Sequence, residues 1–177
     1  MVATVDNFEK SKEFFKNGEI LNALESFDKA LDRSDHSKDT VKKELILFLE
    51  NLLQYSRENN LRDEEAMILR TLGRTHSKFK NHVEGLKFSY QALKIQKKIG
   101  RKLDVAESLV FLAEDLEVSG NYDECINIFT EANEIFHELG KLSKEKEIKN
   151  EIKRLKEFSE KIVEDEYILK EFHIDDY

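Results

Sequence analysis

The chain has 177 residues, of which 40% are hydrophobic and 37% are charged. It is too apolar for a disordered protein and long enough for one domain with a sizeable core. Its net charge of −8 argues against a dedicated nucleic-acid binder, because such proteins are usually basic.

The single cysteine excludes an intrachain disulfide and favours a reducing compartment, so we expect a cytoplasmic protein. The N-terminal stretch MVATVDNFEKSKEFF lacks a basic segment followed by an apolar run, and we therefore expect no signal peptide. No window approaches the roughly 18 uninterrupted apolar residues of a membrane span. The expected partners thus include neither a membrane nor a nucleic acid.

The absence of proline, together with abundant Glu, Lys and Leu, favours helices joined by short turns. The alternation of apolar and polar residues that is typical of strands is not visible anywhere. The predicted fold is therefore all-α, with about eight helices in a single domain over 1–177.

Three helices are predicted in the N-terminal third of the chain. The first ends near Gly18 and the second follows directly, so the two predict a hairpin over 5–33. The residues that define the two helices are Phe8, Ser11, Phe14 and Phe15, and then Ala23, Leu24, Phe27, Ala30 and Leu31. A third helix over 40–56 is apolar on two sides, which predicts packing on both.

The next four predicted helices form two similar pairs. A shift of 40 residues aligns Ala66 with Ala106, Leu69 with Leu109, Leu72 with Leu112, Gly73 with Ala113, Gly85 with Cys125, Ala92 with Ala132 and Gly100 with Gly140. So much agreement at one shift predicts two copies of a helix–turn–helix unit, 64–103 and 104–143.

Small residues recur at one position of each helix in these units. Two antiparallel helices approach closely only where their side chains are small. We therefore expect the helices to cross at Gly73 and Gly85 in the first copy, and at Ala113 and Cys125 in the second. Cys125 is accordingly interpreted as a small packed residue and not as a reactive thiol.

The spacing of these residues resembles the tetratricopeptide repeat (TPR). The matching positions are Leu69, Leu72, Gly73, Gly85 and Ala92 in one copy, and Leu112, Ala113, Gly120, Asn121, Tyr122, Cys125, Phe129 and Ala132 in the other. The period is similar to that of the longer, ~40-residue variant of the repeat. The resemblance implies a right-handed α-solenoid of helix hairpins. Its first helices would line a concave groove that holds a peptide or a helix of a partner protein.

The helix over 40–56 has no predicted partner, although a strict solenoid is built from helix pairs. It is either half of a degenerate repeat, or the N-terminal hairpin packs in a different phase from the later ones. The sequence leaves both interpretations open.

The last predicted helix, 144–172, departs from the 40-residue period and precedes a short tail, 173–177. Its apolar stripe consists of Ile148, Ile152, Leu155, Phe158 and Ile162. Because a solenoid needs a terminal element whose outer face tolerates water, we predict that this helix caps the stack. The alternative is an oligomerisation helix that pairs with a second copy or with another protein. Residues 141–161 carry a net charge of +3, and residues 164–177 one of −5.

No pattern typical of catalysis or of metal binding is present. The sequence has neither G-x-S-x-G nor a Gly-rich phosphate loop, and its histidines never adopt metal-ligand spacing. These histidines are His36, His76, His82, His137 and His173. We therefore predict that the protein is not an enzyme and has no cofactor and no metal site.

The resemblance also implies which residues line the groove, one or two positions from the packing residues of each first helix. They are Phe8, Lys12, Phe15 and Lys16; then Met67, Arg70, Arg74, Ser77 and Lys78; and then Glu107, Val110, Glu114, Glu117 and Val118. The second set is basic and the third is acidic, so the groove would orient a ligand of opposite polarity. The alternative, which the sequence leaves open, is that these residues are simply exposed charges. Asparagines that complete the carboxylate clamp of some family members are missing, and we predict no binding of chaperone tails.

The predicted function is that of a non-catalytic adaptor or scaffold that binds a peptide or helix of a partner protein. Two alternatives stay open. One is a structural protein that self-assembles through its C-terminal helix, and the other is a regulatory sensor of a signalling peptide.

Overall fold

A computed structural model gives the backbone of residues 2–172 and the side chains of residues 7–163. Within residues 2–172 the chain forms eight α-helices and no strand. They are α1 (Val2–Lys16), α2 (Ile20–Asp32), α3 (Asp39–Glu58), α4 (Arg62–Lys78), α5 (His82–Ile99), α6 (Lys102–Val118), α7 (Tyr122–Glu138) and α8 (Leu142–Phe172). The predicted all-α fold is confirmed. The predicted tail, 173–177, lies outside the described residues.

The turns that follow α3 to α7 share one geometry and recur every twenty residues. Each contains a residue with positive φ, and the next amide donates to a carbonyl five residues back, as Asn121 N does to Leu116 O at 2.9 Å. This pattern is the Schellman end of a helix. The positive-φ residues are Asn60, Lys80, Gly100, Gly120 and Gly140, with φ between +56° and +76°.

Helix α3 shares the spacing of α5 and α7. The buried residues that lie 40 positions apart are Leu45, Gly85 and Cys125; Leu49, Ser89 and Phe129; Leu52, Ala92 and Ala132; and Ser56, Gln96 and Phe136. This helix, which has no predicted partner in the sequence, therefore has the burial pattern of a second helix of a hairpin.

Side-chain contacts divide the helices into two rows. The first row contains α2, α4, α6 and α8, joined by bonds from Arg74 to Asp28, from Ser77 to Asp115 and from Arg154 to Glu117. The second row contains α1, α3, α5 and α7. It is joined by ring contacts of Phe8 and Phe15 with Phe48, by Leu53 and Phe88 around one hollow, and by the bond from Tyr90 to Glu124.

The two rows show in which phase the N-terminal hairpin packs. Helix α1 opens its hairpin but lies in the row of α5 and α7, which close theirs. Helix α2 closes the hairpin but lies beside α4, where Arg74 contacts Asp28 and Asp32 at 3.0 and 2.7 Å. The first hairpin is therefore out of phase with the repeats 64–103 and 104–143, because its opening helix lies in the row of their closing helices. Helix α3 follows α1 in this second row.

The close crossing predicted at Gly73 is confirmed. A methyl group added to Gly73 would lie 3.0 Å from the carbonyl oxygen of Gly85 and 2.5 Å from Ser89 Oγ. In the second unit Ala113 and Cys125 are both fully buried, and burial raises the pKa of the Cys125 thiol to about 11. The thiol therefore acts as a packing group.

Helix α8 closes the stack by packing on α7. Ile148 and Leu155 are buried in the same core as Phe129, and Ile152 packs against it. The Phe158 ring contacts that of Tyr122 edge-on, at a centroid distance of 5.3 Å, although 44% of Phe158 stays exposed. The predicted capping helix is thus confirmed, and its apolar stripe faces its own domain.

One buried polar side chain interrupts the core between α5 and α6. Gln96 is 1% exposed, and within the described residues neither its amide nitrogen nor its amide oxygen has a hydrogen-bond partner. Forty residues later the corresponding position is occupied by Phe136, which is also buried. The amide therefore loses its hydration on folding without recovering it from the protein.

Substituting Gln96→Met should raise the free energy of unfolding by about 1 kcal/mol, because an apolar side chain of similar length removes this desolvation penalty. Urea unfolding followed by circular dichroism measures the change. The control is Gln91→Met, on the same helix but only partly buried. An equal gain in both variants would contradict this interpretation of Gln96.

Candidate partner-binding groove

The first row of helices carries a groove between α4 and α6. Its volume is about 360 Å³, and its walls are formed by Arg74, Ser77, Lys78, His82, Ser89, Phe111, Glu114, Asp115 and Val118. The exposed fractions of Phe111 and Val118 are 37% and 65%. An apolar wall therefore stands open to solvent beside charged groups, a combination that binding sites for peptides commonly use.

A second hollow of about 310 Å³ lies between α6 and α8. It is lined by Glu107, Val110, Phe111, Phe136, Lys144, Glu147 and Ile148. Because Phe111 belongs to both hollows, they form one surface that crosses α6.

The spacing of residues along α6 explains this surface. Phe111, Glu114 and Val118 are three and four residues apart, which places them on one face of the helix. Leu109 and Leu112 lie on the face that packs into the core, where both are buried. One side of α6 therefore packs into the core, and another side lines the groove.

Asp115 forms the floor of the groove and ties α4 to α6. Ser77 Oγ donates a hydrogen bond of 2.7 Å to Asp115 Oδ2, and His82 Nδ1 lies 3.6 Å from Oδ1. Burial raises the pKa of this carboxyl group, although Ser77 and His82 act in the opposite direction. Its hydrogen bond from Ser77 on α4 makes Asp115 of α6 a structural link between the two helices.

The basic residues of α4 are already paired within the protein. Arg74 binds the carboxylates of Asp28 and Asp32, and Lys78 Nζ lies 3.2 Å from Asp32. Arg70 lies 3.3 Å from Glu107 on α6. This end of the surface is therefore less positive than the predicted basic set implied.

Glu114, at the acidic end of the groove, differs from these paired basic residues. Surrounding protein and the negative charges of Asp115, Glu117, Glu147 and Glu151 raise the pKa of its carboxyl group. Within the described side chains it forms no ion pair. A cation from a ligand would therefore relieve repulsion at this position.

Substituting Glu114→Gln should raise the melting temperature at neutral pH. A carboxyl group with a raised pKa binds protons more tightly in the folded state, so its contribution to stability falls as the pH rises above its ordinary value of 4.5. The gain should stay below about 1 kcal/mol because the side chain is open to solvent.

Scanning calorimetry of both proteins at neutral pH and well below the ordinary pKa measures this difference. The advantage of the variant should disappear in acid, where both forms of the side chain are neutral. Glu134→Gln, on the exposed face of α7, is the matched control. A gain that persists unchanged in acid would contradict the electrostatic explanation.

The groove residues predicted on α1 lie elsewhere. Phe8 is part of the core, and Lys12 Nζ bonds Glu44 on α3 at 3.1 Å while lying 4.2 Å from the centre of the Phe8 ring. Phe15 packs against Phe48, and Lys16 is exposed. Because α1 belongs to the second row, the structure does not bring this set together with those of α4 and α6.

The other predicted positions surround the groove without entering it. Met67 and Val110 are partly buried against the two parts of the core. Glu117 accepts hydrogen bonds of 2.9 Å from Arg154 on α8. The groove between α4 and α6 thus brings together Arg74, Ser77, Lys78, Glu114 and Val118.

Sequence reasoning missed Phe111, Asp115 and His82. Phe111 lies 40 residues after Thr71, which is buried, so the repeat itself favoured a core position for it. Its neighbour Val110, identified as a groove candidate, was the closest signal. His82 begins α5, and only the fold places it beside Asp115.

Among the residues that the structure describes, no group of three or more His, Cys, Asp or Glu side chains could hold a metal ion. None of the helices in this part of the chain has the length and apolar character needed to cross a membrane.

No family model and no curated protein matches the sequence. Among solved structures, the apo form of RapI is similar over 78% of this chain and 57% of RapI, with 15% identity and a TM-score of 0.53. BtubC from P. vanneervenii is similar over 85% of this chain and 78% of its own, at 14% identity and a TM-score of 0.44. The nearly identical TPR-like repeats of a kinesin light chain candidate from Podosopora anserina cover 90% of this chain and 99% of theirs, at 12% identity and a TM-score of 0.47. The present chain spans little more than half the length of RapI, and the likeness shows a TPR-like fold.

Proposed function

We propose that this protein is a non-catalytic adaptor that binds a segment of a partner protein in the groove between α4 and α6. The observation that carries the proposal is the exposed pair Phe111 and Val118, which lies beside charged groups in a preformed hollow. Exposed apolar surface next to ordered polar groups is typical of protein-binding sites. A cytoplasmic location stays a prediction.

The lining of the groove suggests how a ligand would bind. An apolar side chain of the partner would cover Phe111 and Val118, where burial supplies affinity. A lysine or arginine of the partner would lie near Glu114, the carboxylate that has no cation partner among the described side chains. Such a charge contact would fix the direction of the segment more than it would raise the affinity.

We also infer that the hairpins belong to the longer, ~40-residue variant of the TPR. The support is the regular spacing of left-handed turn residues, which recur every twenty residues from Asn60 to Gly140. Helices of 17 or 18 residues in α4 to α7 fit that spacing. Such helices offer a longer first-row surface than shorter repeats do.

The experiment is a selection of peptides from a random displayed library on the full-length chain, followed by titration of the selected peptides by isothermal calorimetry. Phe111→Ser/Val118→Ser should weaken binding at least about tenfold, because each lost apolar contact is worth roughly 1 kcal/mol. These two residues are exposed, so the variant should keep the fold.

The matched control is Leu47→Ser/Val83→Ser, which removes two exposed apolar residues from α3 and α5 in the other row. It should leave the affinity unchanged. Peptides that bind both variants as tightly as the original protein would overturn the assignment of the groove.

A further inference from the structure

The two hollows of the first row lie on opposite sides of α6, which α4 and α8 flank. They are also staggered along the helix. The hollow between α4 and α6 is bordered by Phe111, Glu114 and Val118, in the second half of α6. The hollow between α6 and α8 is bordered by Glu107, Val110 and Phe111, nearer its start. A straight rod that fills both hollows must therefore cross α6 at Phe111.

Each hollow offers an apolar contact to such a rod. Val118 is 65% exposed beside the first hollow, and Val110, beside the second, is only partly covered by the core. These two residues are separated by about 12 Å along α6, at 1.5 Å per residue. Side chains seven residues apart lie on one face of a helix and are separated by about 10.5 Å. Two apolar side chains of a helical ligand, two turns apart, can therefore enter the two hollows together.

The polar side chains around the hollows offer little to an extended backbone. Ser77 donates its hydrogen bond to Asp115 in the first hollow, and Lys144 lies 3.1 Å from Glu147 in the second. Among the described residues that line the two hollows, none is an asparagine or a glutamine, whose amides supply both a donor and an acceptor. An extended segment would therefore lose the hydration of its backbone groups without recovering hydrogen bonds. A helix satisfies these groups within itself.

The charge around the hollows favours a basic ligand. Glu114 has no ion-pair partner among the described side chains, and burial together with the negative charges of Glu147 and Glu151 raises the pKa of its carboxyl group. On the opposite wall, Arg74 is already paired with Asp28. Cations of a ligand would relieve the repulsion between the carboxylates and fix the direction of binding, while apolar burial supplies the affinity.

On the premise that a partner binds in the groove between α4 and α6, we propose that its binding segment is a basic amphipathic α-helix that crosses α6 at Phe111. One apolar side chain of this helix enters the hollow beside Val118. Another, seven residues away, enters the hollow beside Val110, which makes the space between α6 and α8 part of the same site. Lysine or arginine residues that flank this apolar stripe lie near Glu114 and Glu147. An apolar helix face docked into a groove is an established mode of recognition.

Selection from two displayed peptide libraries on the full-length chain tests this proposal. Both libraries contain peptides of about 16 residues, which cover the distance of about 16 Å from Glu107 to Val118 along α6. The helical library is restricted to good helix formers of either charge, and the second library differs only by a proline at the centre, which breaks a helix. The helical library should yield peptides with a net positive charge and apolar residues seven apart. The best peptides with proline should bind at least about tenfold more weakly.

Three results would overturn the helical ligand: proline peptides that bind as tightly, selected peptides with a net negative charge, or a helical library without binders. The variant Phe111→Ser/Val118→Ser distinguishes this failure from that of the groove. If proline peptides bind as tightly as helical ones and the variant weakens both, the groove is right and the helix is wrong. If the variant weakens neither set, the assignment of the groove is wrong as well.

The hollow between α6 and α8 has a test of its own. Glu147→Lys should weaken the binding of the selected helical peptides about fivefold at low salt, because it places a cation beside the cations of the ligand. The matched control is Glu157→Lys on the same helix. Both glutamates are 59% exposed and paired with a lysine, but Glu157 borders neither hollow. Equal affinities of the two variants would remove this hollow from the site. Circular dichroism establishes that each variant is folded.

Discussion

Substituting Gly73→Val should lower the free energy of unfolding by about 3 kcal/mol, a large part of the 5–15 kcal/mol typical of a domain. The first added carbon would lie 3.0 Å from the carbonyl oxygen of Gly85 and 3.2 Å from the amide nitrogen of Ser89. Both are backbone atoms of α5, so the two helices must separate to make room. Valine is a better helix former than glycine, and the loss is therefore due to packing alone.

Chemical denaturation with urea measures this loss. Thr130→Val, on the exposed side of α7, adds a valine to a helix without changing its packing and should alter stability by less than about 0.5 kcal/mol. If Gly73→Val were as stable as the original protein, the close crossing of α4 and α5 would be wrong.

The second large effect is expected at Leu155, which is fully buried between α8 and α7. Leu155→Asp should lower the free energy of unfolding by at least about 4 kcal/mol. It removes a buried apolar side chain and places a carboxylate there without a partner. Because α8 closes the stack, its release exposes the core around Phe129 and Phe136.

Phe158→Asp is the comparison on the same stripe. Phe158 stays 44% exposed, so this change should lower stability by only about 1 kcal/mol. Comparing the two variants shows whether the apolar stripe of α8 caps the stack or mediates self-assembly. A Leu155→Asp protein that is monomeric and as stable as the original would contradict the capping role.

The repeat could be predicted from the sequence because it rests on local packing rules. Small side chains at Gly73, Gly85, Ala113 and Cys125 permit close helix crossings, and their spacing is visible in a single chain. The phase of the first hairpin could not be predicted in this way. It depends on how the aromatic rings of Phe8, Phe15 and Phe48 pack between α1 and α3, which are separated along the sequence.

The groove was predicted only in part, for a related physical reason. Arg74 of α4 and Glu114 of α6 each lie on the side of their helix that lines the groove, and helical spacing alone identifies that side. Whether a charge is free or paired depends on neighbours from other helices, and Arg74 is paired with Asp28 and Asp32 of α2. The exposure of Phe111 likewise follows from the gap between neighbouring hairpins.

The most direct test of the account is photo-crosslinking of a selected peptide to the groove. A photoreactive phenylalanine analogue is placed at Phe111 in one protein and at Tyr90, on the opposite row, in another, and each is irradiated with the same peptide. We expect a covalent adduct from position 111 and none from position 90. Adducts of equal yield at both positions, or at position 90 alone, would contradict partner binding in the groove between α4 and α6.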